Sequence, residues 1–123
     1  MFNEIVLEVL KHEGVVSVTS WTEKGAHVAN TWNSYLRITE DNRLLIPAAW
    51  FNVTRKNVEA QNRVIVTFGS KEVQGKVAMG TGFVVEGTAQ FLAEGPDFDD
   101  MKEQFPFLKY VMEITPERVK QTI

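Results

Sequence analysis

The chain has 123 residues, 44% of them apolar, with a net charge of −3 and no cysteine. That is one domain, 1–123, with a modest core, and a chain this small buries only about two-thirds of its unfolded surface, so a second copy would help it. The acidic balance argues against nucleic-acid and anionic-membrane partners, which need a basic field, and the missing cysteines exclude disulfides, thiolate metal sites and thiol catalysis.

The N-terminal residues MFNEIVLEVLKHEG place glutamates among apolar positions, unlike a signal peptide. Ile5, Val6, Val9 and Leu10 form a stripe that predicts a helix over 3–12, with Asn3 as its cap and Gly14 at its end. Strand-like runs follow at 15–21, 27–38, 43–50, 63–69, 72–78, 82–93, 108–115 and 118–122. Glu23-Lys24-Gly25 and Glu40-Asp41-Asn42 read as hairpin connections, and Lys71-Glu72 as a tight turn. Thr54 is placed to cap a short helix over 55–61, and Pro96 to open another through Gln104, its Asp97, Asp99 and Asp100 suiting the positive end of the dipole. Many strands and few helices predict a small, mostly antiparallel β-barrel. Pro47 within a strand marks an edge, a bulge or a rim. No apolar run approaches the ~20 residues that span a bilayer, and the expectation is a soluble, cytoplasmic protein.

The run HVANTWNSYLRI, 27–38, raises a chemical question. Read as one strand, it sets Val28, Trp32, Leu36 and Ile38 on one face, together with Asn30 and Ser34. A buried amide or hydroxyl without a partner costs about 1–3 kcal/mol. These groups therefore face a neighbouring loop, a dimer interface, or a ligand with donors and acceptors on its edge. With Thr31, Trp32 and Asn33 between them, they offer amide, hydroxyl and indole groups around one aromatic surface, which suits a flat heteroaromatic ring.

A second stretch, PAAWFNVTRKN at 47–57, runs from a strand of small residues into a helix start. Small residues let a ligand approach the backbone, and the first N–H groups of a helix make an anion site. Arg55 and Lys56 stand in that first turn, where the dipole prefers acids, and a phosphate would offset their repulsion; the alternative is that both point to solvent. The GTG at 80–82 lacks the helix that a nucleotide loop requires and reads as a barrel bend. The acidic run PDFDDMKE reads as a solvated helix face, and neither it nor His12 and His27 has metal-ligand spacing.

KHEGVV (11–16), HVANTWNSYL (27–36), NRLLIP (42–47), Thr54 with Asn57-Val58, and GTGF with a later GTA (80–89) occur in an order that resembles the small FMN-binding proteins of sulphate-reducing bacteria. These belong to the flavin split-barrel superfamily, which includes pyridoxamine-phosphate oxidase. The resemblance implies a six-stranded Greek-key split barrel, a homodimer and one FMN per subunit near the interface. Asn30, Thr31, Trp32 and Asn33 would line the flavin ring. Pro47, Ala48 and Ala49 would approach it through backbone, and Asn52, Val53 and Thr54 would hold the phosphate. Glu13, Phe107 and Ile123 would come from or near the partner subunit and shield the ring. The chain departs from the family where Val53 replaces a lysine, leaving Arg55, Lys56 or Lys71 to supply the charge, and where Ala49, Trp50 and Phe51 replace small glycines, the bulky Trp50-Phe51 pair being placed to fill part of the phosphate path.

Three functions follow from this pattern. The first is a flavin redox carrier, in which no catalytic side chain is required. The second is a flavin-dependent oxidoreductase, using His27, Tyr35 and Arg37 to hold a substrate. The third is a barrel that has lost flavin and binds another planar ring.

Overall fold

The computed structural model describes all 123 residues, and its elements follow one another as α1 (Glu4–Leu10), β1 (Val15–Thr22), β2 (Gly25–Trp32), a 3-10 turn (Asn33–Tyr35), β3 (Arg37–Ile38), β4 (Leu44–Ala48), α2 (Asn52–Ala60), β5 (Arg63–Gln74), β6 (Met79–Leu92), α3 (Pro96–Gln104) and β7 (Tyr110–Gln121). Seven strands, one more than the six expected, form a single antiparallel sheet in the order β2-β1-β5-β6-β7-β4-β3. The extra strand is the two-residue β3, which pairs only Arg37 and Ile38 with Leu45 and Leu44.

Alternation along the long strands builds the core. Val64, Val66 and Phe68 of β5 face Val85 and Phe83 of β6, and Met112 and Ile114 of β7 face Leu44 and Ile46 of β4 in the same apolar cluster. Val6 and Val9 of α1 and Val58 of α2 close it from outside the sheet. A smaller cluster under α3 joins Met101, Phe105 and Leu108 to Leu45 and Val111.

Several boundaries differ from the sequence expectation, each for a physical reason. The 27–38 run is not one strand. It breaks at Asn33, whose buried side-chain amide donates to the carbonyls of His12 (3.0 Å) and Gly69 (2.9 Å), pulling the chain into a 3-10 turn. Its parity is also reversed, because Thr31 is buried while Val28, Asn30 and Trp32 face outward. Helix α2 starts three residues earlier than expected, so Thr54 lies inside it and the capping position falls to Phe51, which has no capping side chain. The β5–β6 connection is at 75–78 rather than at Lys71-Glu72, where the strand continues. The two C-terminal runs are one strand, β7, with a register shift opposite Glu86/Gly87. Asn3 caps α1 through its side chain, and α3 spans Pro96–Gln104 as expected.

Candidate functional site

The sheet leaves a hollow where β2, one edge strand, approaches the far end of β4. Because β3 covers only Leu44 and Leu45, the outer edge of β4 beyond them carries no strand. Pro47, which cannot donate to a ladder, is tolerated at such an edge. The hollow has a volume of about 600 Å³. One wall is β2, through His27, Ala29, Asn30, Thr31 and Trp32. The opposite wall is Pro47, Ala49, Trp50 and Phe51, and Tyr35, Phe107 and Lys109 close the end.

Asn30, Thr31, Trp32, Pro47, Ala49 and Phe107 of the predicted set are thus brought together. Phe107 lies in the hollow of its own chain. The side-chain amide of Asn30 donates to the Val16 carbonyl at 3.2 Å, which orients it against β1. Trp50 and Phe51 line the hollow without plugging it, and Trp50 is 79% exposed at its rim.

Other predicted residues stand elsewhere. Asn33 is wholly buried and serves the junction of α1 and β5. Ala48 is buried and does not line the hollow. Glu13 accepts from the Ser34 backbone N–H (3.1 Å) and hydroxyl (2.8 Å), fastening the 3-10 turn that carries Tyr35. The Ser34 hydroxyl, followed by its N–H, holds the Glu13 carboxyl below the usual glutamate range. Lys71 is exposed on β5, away from the hollow. Ile123 is exposed at the C-terminus, where its carbonyl accepts from the Lys76 N–H.

Asn52 and Val53 are exposed in the first turn of α2, directly after Phe51. The first helical backbone bond there runs from Arg55 N–H to the Phe51 carbonyl, so the N–H groups of residues 52–54 have no partner within the helix. Thr54 is fully buried and its hydroxyl makes no hydrogen bond. The Arg55 guanidinium is engaged with Glu59 (3.1 Å) and lies 4.9 Å from the Tyr110 ring centroid.

Three aromatic rings organise the closed end. Tyr35 packs against Phe105 (5.3 Å between centroids) and Phe107 (5.6 Å), and Arg37 covers Phe105 at 4.9 Å. Arg37 donates to the carbonyls of Ser34 and Leu36 and to Gln104, so it braces this corner and does not line the hollow. Sequence reasoning missed Lys109 as a lining residue. Phe107 lies in a turn and Lys109 at the bend before β7, so no strand periodicity in the sequence marked the pair; the Lys109 N–H bond to the Ala48 carbonyl places it beside β4.

The profile of the family described as pyridoxamine 5'-phosphate oxidase matches residues 2–123. The chain belongs to that family. It is 40% identical over 116 residues, 94% of each chain, to a protein of Nitratidesulfovibrio vulgaris (strain DSM 19637 / Miyazaki F) called FMN-binding protein. Among solved structures, HupZ of Group A Streptococcus superposes with a TM-score of 0.80 at 19% identity, covering 98% of this chain and 94% of the other. A putative pyridoxamine 5'-phosphate oxidase of Lactobacillus delbrueckii gives 0.72 at 15% identity, covering 98% and 93%. These structures share the split-barrel fold.

Proposed function

We propose that the protein binds FMN in the hollow between β2 and β4 and acts as a small redox carrier. The observation that carries this reading is a hollow of about 600 Å³, walled by aromatic faces and lying at two unpaired strand edges. That volume is within the range of cofactor sites, roughly 300–1,000 Å³. The residues fit the cofactor's parts. Trp32, Tyr35, Phe51 and Phe107 offer apolar faces for a planar ring, and Ala29, Pro47 and Ala49 leave the backbone accessible to its polar edge. The uncapped start of α2, with the orphaned Thr54 hydroxyl beside it, suits a phosphate.

Bound FMN would supply one- and two-electron chemistry, and the protein would position it and set its surroundings. Apolar walls disfavour added negative charge on the ring, while donors at its pyrimidine edge favour it. Glu13, engaged by Ser34, acts by holding the turn that carries Tyr35. No nucleophile–base pair lines the hollow, where His27, Tyr35 and Lys109 are the only ionisable side chains.

The reading extends to a homodimer in the cytoplasm, without nucleic-acid or membrane partners; no helix is long and apolar enough to cross a membrane. Support for a second copy comes from the outer face of β1–β2, where Val15 and Trp32 are register partners and Val28 shares their face, all exposed. Light scattering should return twice 14.0 kDa.

The test is absorbance of the purified protein in the two flavin bands, with titration of FMN and mass analysis of released ligand. One FMN per chain is expected. A colourless protein that takes up no FMN at micromolar concentration overturns the reading. A second reading, an oxidoreductase, has His27 and Tyr35 in the hollow as its support. Reduction of dyes by the loaded protein with NADH or NADPH would favour it, and inactivity with every common donor would remove it.

A further inference from the structure

The hollow has an unusual charge balance for this chain. The protein carries 16 acidic residues against 13 lysines and arginines. Yet no carboxylate lines the hollow, and its one permanent charge is the ammonium of Lys109. At the start of α2 the side chain of residue 53 is an exposed valine, and Arg55 is turned toward Glu59 and Tyr110.

Lys109 has an anchored backbone and an exchangeable head. Its backbone N–H donates to the Ala48 carbonyl at 2.9 Å. The loop before it is fastened by Lys102, whose ammonium donates to the carbonyls of Pro106 (2.7 Å) and Leu108 (2.6 Å). The Lys109 ammonium pairs with no carboxylate and rests 4.8 Å from the centroid of the exposed Trp50 ring. A cation over an exposed indole is held weakly, whereas an ammonium on a phosphate makes charge-assisted hydrogen bonds about twice as strong as neutral ones. Trp50 and Phe51 line the hollow and run directly into the uncapped turn of α2, so the stored cation sits on the wall that leads into the free N–H groups of residues 52–54.

We infer that Lys109 is the side-chain cation that recognises the ligand's phosphate, leaving the Trp50 ring for the phosphate oxygens on binding. The inference rests on the flavin reading above and assigns to the loop before β7 a recognition role that the missing lysine at 53 leaves open.

FMN and riboflavin share one ring and differ in the phosphate, so their affinity ratio isolates this contact. Fluorescence-quenching titrations with both ligands compare wild type, Lys109→Met, Lys109→Arg and, as a remote charge deletion, Lys11→Met. Lys109→Met should lower the preference for FMN over riboflavin about tenfold or more, with riboflavin affinity unchanged. Lys109→Arg should retain the preference, as should Lys11→Met. Unchanged riboflavin binding also reports an intact fold. A Lys109→Met protein that keeps the wild-type FMN preference overturns the inference while leaving the flavin reading standing. Wild-type protein that binds neither ligand overturns both.

Discussion

Replacing Asn33 separates a ligand role from a structural one in the middle of the NTWNSYL segment. The side chain is fully buried, and its amide nitrogen points at the carbonyls of Val9 (3.4 Å), His12 (3.0 Å) and Gly69 (2.9 Å). Its Oδ1 accepts no hydrogen bond, so its polar role is donation alone. The Val9 carbonyl already receives the His12 N–H at 3.1 Å, and Asn33→Ala therefore strands chiefly the carbonyls of His12 and Gly69. A stranded buried acceptor costs about 1–3 kcal/mol, and partial access of water to these two limits the sum to about 2–4 kcal/mol. For a chain of 123 residues the unfolding entropy is about 0.26 kcal/mol/K, so Tm should fall by about 8–15 °C. Asn33→Asp is the sharper variant. It keeps the shape but sets carboxyl oxygens against carbonyl oxygens, offering no proton when ionised and one when neutral. It should melt below Asn33→Ala. The assay is thermal and urea unfolding followed by circular dichroism on ligand-free protein. An Asn33→Asp protein at least as stable as Asn33→Ala would refute the donor argument. An Asn33→Ala protein with wild-type Tm but lost FMN affinity would return the residue to the ligand.

Three further outcomes are expected. A Cβ at Gly87 would lie 2.2 Å from the Thr115 carbonyl oxygen, so Gly87→Ala should cost about 1–3 kcal/mol in urea unfolding; an unshifted midpoint would show that β7 yields freely. Thr31 is nearly buried in the wall of the hollow while Arg37 braces its corner from outside, so Thr31→Val should weaken FMN binding about two- to tenfold and more than Arg37→Ala does. Equal losses would count against this wall. Arg43 joins Asp41, Asp97 and the buried Glu113, and its N–H groups, more than the Thr39 hydroxyl, hold the Asp41 carboxyl below its ordinary value. A lowered carboxyl contributes stability above the unfolded value, near pH 4, and loses it as pH falls through the folded value. The stability gap between wild type and Arg43→Met should accordingly be full at pH 7 and narrow below about pH 4, and a gap independent of pH would contradict the linkage.

Local patterns foretold much of the fold. The α3 boundaries follow from Pro96 and its acidic first turn, and the inward rows of β5 and β6 follow from strict alternation at 64–68 and 83–85. Alternation misled at 27–38, because period-two counting assumes an unbroken strand, and Asn33 breaks this one through bonds to residues 21 and 36 positions away. The start of α2 was misplaced for a related reason. Thr54 has the chemistry of a cap, but its hydroxyl is buried within the first turn and caps nothing.

By itself the sequence determined a cysteine-free, strand-rich chain with an aromatic and amide-bearing second strand, since composition, alternation and turn residues are properties of neighbours along the chain. The tertiary structure alone decided which of those residues share a cavity. Closing the sheet brings Lys109 and Phe107 to β2 across some 75 positions, turns Asn33 into the core and Lys71 away, and leaves two strand edges facing one hollow. Such juxtapositions depend on how far the barrel fails to close, a long-range balance of packing and pairing that no local window contains.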